Sequence, residues 1–179
     1  AAIAGLAPLL CFVPLWVLYL SIVQGGQDFM SFQWDVLLLE AGVIAWFLAP
    51  ARLRTTITER RPPATVGIWL ARLLVWKLMF LSGATKLLAY DDTWWQLTAL
   101  DYHYYTQPLP WWTAWFMHQL PSWFGKACVA VTLVIETVVP WLIFCGRRAR
   151  LIAFALLVAL QLAIAWTGNY GFFNLLTLV

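Results

Sequence analysis

The polar stretch over residues 98–110 has the side chains best suited to chemistry. It contains Asp101, Tyr102, His103, Tyr104, Tyr105 and Gln107. In a catalytic interpretation, Asp101 orients His103 as a general acid or base. No sequence-local nucleophile or metal-ligand partner accompanies this pair, and His118 is too isolated to help. We therefore favour a hydrogen-bonded cap, in which the tyrosines lie at a membrane interface and Pro108 and Pro110 force an extended turn.

Four charged residues interrupt apolar runs that are candidates for membrane helices. They are Glu40, Arg72, Lys77 and Glu136. Each unpaired charge at mid-membrane costs roughly 2.5–3.5 kcal/mol, so pairing is expected. Counting residues from the helix ends gives similar depths for Arg72 and Glu136, and compatible depths for Lys77 and Glu40. We predict interhelical ion pairs that fix helix register, with a polar intramembrane cavity for a lipid or a proton as the alternative.

Other polar residues fall near the opposite ends of these runs. Lys86 is expected to snorkel toward water or phosphate, and Ser82 and Gly83 are small enough to let another helix approach. Asn169 and Asn174 flank a helix break, where we expect them to satisfy backbone groups, with a ligand contact as the alternative. The candidate external functional segment therefore comprises Lys86, Asp101, Tyr102, His103, Tyr104, Gln107, Asn169 and Asn174.

Motifs of soluble enzymes are missing from the sequence. It has no Gly-rich phosphate loop, no zinc-ligand spacing and no basic nucleic-acid patch, and Ser82 lacks the Gly-x-Ser-x-Gly setting of a hydrolase nucleophile. Cys11, Cys128 and Cys145 are spaced unlike any metal or redox motif and are interpreted as packing residues. We predict no metal, no cofactor and no nucleic-acid partner, and the catalytic residues of any enzyme activity stay unknown.

The composition places the chain in a lipid bilayer, since 63% of its 179 residues are hydrophobic and only 11% are charged. An average soluble domain has roughly 25% charged residues. The apolar runs predict helices over residues 2–23, 35–49, 64–90, 123–145 and 151–166, and the start of a sixth at 175. The first run lacks the flanks of a cleaved signal peptide and predicts a retained helix. We predict an all-α polytopic transmembrane bundle that forms a single domain over 1–179.

The segment over residues 91–121 is polar but rich in tryptophan and tyrosine, whose rings favour the headgroup layer of a membrane. The loops on the opposite side of the predicted bundle hold arginines, namely Arg52, Arg54, Arg60, Arg61, Arg147, Arg148 and Arg150. By the positive-inside rule, the arginine side and the N-terminus are cytoplasmic. The segment over 91–121 and the turn over 168–174 then face the periplasm or the lumen of the endoplasmic reticulum.

Several strings in the chain resemble the lipase maturation factor family, in a bacterial-type or truncated form. They are Trp34-Asp-Val-Leu-Leu-Leu-Glu-Ala-Gly42, Ser82-Gly-Ala-Thr-Lys86, Asp101-Tyr-His-Tyr-Tyr-Thr-Gln-Pro-Leu-Pro110, His118-Gln-Leu-Pro121, Glu136-Thr-Val-Val-Pro140 and Gly168-Asn-Tyr-Gly-Phe-Phe-Asn-Leu-Leu-Thr177. The likeness is nearly continuous from about residue 34 onward. It implies a multispanning protein of the endoplasmic reticulum membrane, or of a bacterial inner membrane, whose eukaryotic relatives assist the folding of secreted lipases.

Three hypotheses about function follow. The first is a membrane-embedded folding or assembly factor for a secreted lipase or other client protein, which requires no catalytic residues. The second is an intramembrane enzyme or lipid-handling protein, distantly like vitamin K-dependent carboxylases, in which Lys77, Lys86, Glu40, Glu136 and His103 surround a polar cavity. The third is an accessory subunit of a larger membrane complex, since 13 tryptophans can bury much of the perimeter against other chains.

Overall fold

The computed structural model describes residues 5–50, 52–54, 62–107 and 109–178. Within these ranges the regular secondary structure is helical, apart from one isolated bridge between Leu6 and Arg54. The predicted all-α class is therefore confirmed. Arg60, Arg61 and Pro108 lie outside the described residues, as do the first residues of the predicted helix over 2–23.

The helices of the described chain differ widely in length. In chain order they are α1 (Pro8–Gly26), a 3₁₀ helix (Gln27–Met30), α2 (Gln33–Leu48), α3 (Thr65–Leu88), α4 (Asp92–Trp95), α5 (Ala99–Thr106), α6 (Trp112–His118), α7 (Ser122–Thr137), a second 3₁₀ helix (Val139–Phe144), α8 (Arg147–Thr167) and α9 (Phe173–Leu178). The predicted external segment thus folds into three short helices, α4 to α6. We call its described residues, 91–107 and 109–121, the cap segment.

Four stretches of the described chain are long and apolar enough to cross a membrane. They are Pro8–Met30, Thr65–Leu88, Ser122–Phe144 and Arg147–Thr167. Helix α2 has 16 residues, which at a rise of 1.5 Å each gives about 24 Å, short of the roughly 30 Å of hydrocarbon. The chain is an integral membrane protein of several spans, while a fifth complete span at α2 stays a prediction.

Two of the predicted helices differ in detail from the structure. Helix α1 ends at Gly26, three residues beyond the predicted bound at 23, and a 3₁₀ helix follows over Gln27–Met30. The run predicted over 123–145 is helical but changes type, since α7 ends at Thr137 and a 3₁₀ helix follows. Pro140 explains this change because it has no N–H to donate and its ring clashes with the carbonyl of residue 136.

The chain divides into two compact units, residues 1–74 and residues 75–179. In the first unit α1 and α2 are joined by two side-chain hydrogen bonds. The indole nitrogen of Trp16 donates to the carbonyl oxygen of Leu39 at 2.9 Å, and the Tyr19 hydroxyl donates to Asp35 at 2.6 Å. The predicted single domain over residues 1–179 stays a prediction.

The second unit has a small apolar core between α3, α7 and α8. Met79 of α3, Ile135 of α7 and Val139 of the following 3₁₀ helix pack against α8, which contributes Ala153, Leu157 and Leu160. The core supports the end of the unit that carries the cap segment, where the polar residues singled out from the sequence come together.

Candidate functional site

A buried ion pair joins α3 to α7 beneath the cap segment. The ammonium group of Lys86 donates to both carboxylate oxygens of Glu136, at 2.7 and 2.6 Å. Glu136 is only 4% exposed, whereas the Lys86 side chain is 24% exposed. Lys86 also donates to the carbonyl oxygen of Ser82 and lies 5.3 Å from the centre of the Trp94 ring. The cation therefore has three kinds of partner, one of which belongs to the cap segment.

This pair corrects two predictions. Lys86 does not snorkel away from the bundle, and Arg72 is not the partner of Glu136, because Lys86 takes both carboxylate oxygens. The count of residues from the helix ends assumed that α3 and α7 begin at the same depth in the membrane. In the structure, the contact at Gly83 fixes how far the two helices are shifted along each other. A Cβ atom at Gly83 would lie 2.7 Å from Thr137 Cγ2 and 2.9 Å from Glu136 Cβ. This close approach, expected from the small residues, brings Glu136 beside the last turn of α3.

The same count of residues predicted that the other three intramembrane charges, Glu40, Arg72 and Lys77, form interhelical ion pairs. The guanidinium carbon of Arg72 lies 5.1 Å from the centre of the Trp69 ring, a cation–π contact along one helix. Glu40 on α2 is half-buried, and Lys77 on α3 is exposed. The pairing of Glu40 with Lys77, and a structural role for these charges, stay predictions.

The imidazole of His103 contacts a residue far away in the chain. Its Nε2 atom lies 3.0 Å from the Tyr170 hydroxyl, and the two rings are nearly parallel. The alternative in which Asp101 orients His103 is not what the described residues show, since positions two apart on a helix face away from each other. Asp101 instead faces α7, where its Oδ1 atom lies 3.3 Å from the place a Cβ atom would occupy at Gly125.

Burial governs the protonation of the titratable side chains in this cap. Burial, and secondly the charge of Lys86, lowers the pKa of His103 below its usual value. The neutral imidazole is therefore favoured. Burial also raises the pKa of Tyr104 to about 12 and raises the pKa of Tyr170, so both phenols keep their protons. The imidazole and the two phenols are thus favoured in their neutral forms, in which they can hydrogen-bond to protein groups.

The cap segment satisfies the backbone at the end of α8. The last four carbonyl groups of a helix have no partner within it. Gln107 is buried, and its side-chain amide donates to the carbonyl oxygen of Thr167 at 3.0 Å. The Thr113 hydroxyl donates to the carbonyl oxygen of Trp166. A Cβ atom at Gly168 would lie 2.6 Å from a ring carbon of Tyr170 and 3.0 Å from Gln107 Oε1, so the turn leaves no space for a side chain.

A second buried polar contact joins α8 to α9. The Asn174 amide donates to Gln161 Oε1 at 2.8 Å, and the Gln161 amide lies 3.7 Å from the sulfur of Met79. Asn174 and Gln161 are 5% and 6% exposed, so their bonds replace those that water would make. Asn169 is exposed, and its side-chain oxygen accepts a longer bond, 3.4 Å, from the Gly171 nitrogen. Both asparagines therefore contact protein groups, as expected where the helix breaks.

A groove of about 310 Å³ opens beside this turn. Its walls are Trp111 of the cap segment, Leu162 and Ala165 of α8, Leu175 and Leu178 of α9, and the turn over 168–171 with Asn174. The walls are mostly apolar, and neither Lys86, Glu136 nor His103 lines it. The candidate residues of the enzyme hypothesis thus do not converge on this groove.

Exposure separates the tyrosines of α5. Tyr102 is 53% exposed, whereas Tyr104 is 8% exposed and belongs to the buried side. Among the described residues no group of three His, Cys, Asp or Glu side chains could hold a metal ion. In the cap, side-chain amide and hydroxyl groups donate hydrogen bonds to backbone carbonyl groups, and the imidazole is hydrogen-bonded to a tyrosine hydroxyl.

Sequence reasoning missed several residues of this cap. Thr113, Tyr170 and Gln161 each supply a contact between distant parts of the chain. Their residue types are common in loops and helices, so type and spacing alone do not single them out. The position of Tyr170 between Asn169 and Gly171, within the string that carries the family resemblance, was the available signal for that residue.

The fold and the cap together define a polytopic α-helical membrane domain with a polar, helical cap at one end. Comparison with known families gives a more specific result. The sequence model described as "Lipase maturation factor transmembrane domain" matches residues 1–179. The chain therefore belongs to the lipase maturation factor family, and the resemblance seen in the sequence is confirmed. No solved structure matches the chain.

Curated relatives share this region at high identity. Lipase maturation factor 2 of Gallus gallus is 51% identical over 188 residues, which cover 99% of this chain and 26% of the relative. The Homo sapiens protein of the same name is 49% identical, with 92% and 25% covered. Lipase maturation factor 1 of Bos taurus is 37% identical, with 99% and 31% covered. The chain thus spans between a quarter and a third of the length of these relatives.

Proposed function

We propose that this chain is the membrane domain of a factor that assists the folding or assembly of secreted lipases. The observation that carries this proposal is the family match over residues 1–179, together with about half identity to proteins named lipase maturation factor 2. Because the chain spans only part of the length of those relatives, we also propose, on the basis of their names alone, that the whole protein has a maturation activity. The supporting role of this domain is to hold the cap segment in one geometry at the membrane surface.

The geometry of the cap supports a binding role over catalysis. Lys86, Glu136 and His103, which the enzyme hypothesis would use, are engaged with protein groups. The exposed residues of the cap segment are instead aromatic side chains such as Tyr102, which suit contact with a client protein. A rigid scaffold with exposed aromatic rings is a suitable docking platform because little conformational entropy is lost on binding.

The orientation is part of the same proposal. The arginines of the two opposite loops indicate that the cap segment faces away from the cytoplasm and that the N-terminus is cytoplasmic. In a eukaryotic cell this side is the lumen of the endoplasmic reticulum, where a secreted lipase folds. Other membrane subunits, if present, would contact the same bundle from the plane of the bilayer.

Photocrosslinking in cells tests the proposal. The protein carries a photoactivatable amino acid at Tyr102, or at Leu151 as a control that is similarly exposed, at 59%, at the other end of α8. The cells secrete an epitope-tagged lipase. We expect the lipase to be crosslinked from position 102 and not from 151. Crosslinking of lipid alone at 102, with normal lipase secretion after removal of the protein, would overturn the proposal.

A further inference from the structure

Helix α6 and the residue before it have an aromatic side that is about half exposed or more in the described chain. Trp111, Trp112, Trp115 and Phe116 are 46%, 63%, 62% and 56% exposed. The spacing of Trp112, Trp115 and Phe116 places these three on one side of the helix, and Trp111 directly precedes them. We call these four residues the α6 aromatic face.

The opposite side of α6 is fixed against the protein. Thr113 and Ala114 are 5% and 0% exposed, and the Thr113 hydroxyl donates to the carbonyl oxygen of Trp166. Because one side of this short helix is held by packing and a hydrogen bond, its aromatic side is held in a fixed direction. The exposed rings also contact one another, since Phe116 lies edge-on to both Trp112 and Trp115.

The attachment point sets the height of α6 relative to the bilayer. Trp166 is the second-last residue of the apolar span Arg147–Thr167, so α6 lies level with the end of that span. At the same end of the neighbouring span, Trp123 is the second residue of the apolar stretch Ser122–Phe144. Trp123 and Trp166 are themselves 67% and 66% exposed. Two apolar spans thus carry an exposed tryptophan at the end of the bundle where α6 is attached.

We propose that the α6 aromatic face binds the headgroup and glycerol layer of the phospholipid bilayer. The face has no charged residue, and tryptophan rings with a polar N–H favour this layer over both water and hydrocarbon. A helix with one packed side and one aromatic side at this height lies in the plane of the interface. The lipid contact restricts client binding to other parts of the cap segment, such as Tyr102 on α5.

Depth-dependent fluorescence quenching tests this proposal. Single cysteines are introduced at Trp115, Phe154 and Asp92 after Cys11, Cys128 and Cys145 are replaced by alanine, and each is labelled with a small fluorophore in phosphatidylcholine vesicles. Phe154, in the middle of α8 and 64% exposed, is the control for the hydrocarbon. Asp92 is an exposed charged residue on α4, so it is the control for water.

We expect the label at position 115 to lose more intensity to phosphatidylcholine spin-labelled near the headgroup than to lipid labelled near the bilayer centre. The label at 154 should show the reverse order, and the label at 92 should respond to aqueous iodide. Quenching of position 115 by iodide as strong as at 92 would overturn the proposal in favour of a surface open to proteins. Protection of 115 from both quenchers would overturn it in favour of coverage by a protein chain.

A second measurement uses the unaltered protein. A photoactivatable phospholipid with its reactive group near the glycerol should label the peptide that contains residues 111–116. Labelling of the other membrane-facing peptides without this one would contradict the proposal, even if a cysteine variant had failed to fold.

Discussion

Breaking the Lys86–Glu136 ion pair should destabilise the protein unequally from its two sides. In Lys86→Met, Glu136 stays at 4% exposure without the group that takes both of its oxygens. In Glu136→Leu, Lys86 keeps the Ser82 carbonyl, the Trp94 ring and 24% exposure. Leaving the Glu136 carboxylate unpaired should therefore cost more stability than leaving the Lys86 ammonium group without Glu136.

The magnitudes follow from the burial of each group. Removing one partner of a buried ion pair costs about 3–5 kcal/mol, and replacing both partners by apolar residues is often close to neutral. We expect about 5 kcal/mol for Lys86→Met and about 3 kcal/mol for Glu136→Leu. The double variant should lose about 1 kcal/mol or less, far from the sum of the single losses.

Unfolding by dodecyl sulfate in mixed micelles, followed by circular dichroism, measures these differences. Lys126→Met is the control, because Lys126 is exposed on α7 and its removal should change the free energy of unfolding by no more than about 0.5 kcal/mol. A double variant that loses the sum of the single losses would refute the reasoning. So would a Lys86→Met variant that is no less stable than the control.

Two further predictions concern packing and pH. Gly83→Leu should lower the free energy of unfolding by about 1–3 kcal/mol or more, because α3 and α7 must separate to make room for the side chain. Gly146→Ala is the control and should be nearly neutral in the same assay, because no atom lies within 4 Å of the added Cβ. The free energy of unfolding should fall as the pH drops below about 6.5, because the unfolded chain then binds a proton that buried His103 resists. His103→Gln should remove this part of the pH dependence and His118→Gln should retain it, with pH titrations of unfolding as the measurement.

Either prediction can fail in a defined way. Equal stability of the Gly83→Leu and Gly146→Ala variants would show that the contact with Thr137 and Glu136 does not limit the helix spacing. For His103, the folded protein is stabilised above the unfolded pKa and loses that stability by at most about 1.4 kcal/mol per pH unit below it. Stability that increases on acidification would contradict the sign.

The sequence predicted the class of fold well because membrane helices depend on long apolar runs. The bounds of α3 differ little from those predicted, 65–88 against 64–90. Pair partners were predicted less well, since depth counting placed Arg72 beside Glu136. The point at which two helices cross depends on where their smallest residues meet, which here is at Gly83. It therefore depends on the surfaces of both helices and cannot be inferred from the sequence of either one alone.

The cap shows the same limit. Its aromatic and polar composition predicted a hydrogen-bonded cap, and the bonds from Gln107 and Thr113 to the end of α8 agree with that part. Its position at a membrane interface stays a prediction, and Tyr104 is buried in the protein. The hydrogen-bond partners could not be predicted from the sequence, because more than 50 residues separate Gln107 from Thr167 and His103 from Tyr170. Contacts at such separation depend on the packing of α6 onto α8 and of α5 onto α6 and α7, which local sequence does not specify.

The bonds from Gln107 and Thr113 to the end of α8 also have a consequence for biosynthesis. During translation the cap segment is made before α8, so its donors already exist when the carbonyl groups of Trp166 and Thr167 reach the membrane surface. The cap segment in turn lacks these acceptors until α8 is made, so the cap and the end of α8 become ordered together. In a protein proposed to help others fold, an early segment of the chain thus waits for a later one before its own donors are paired.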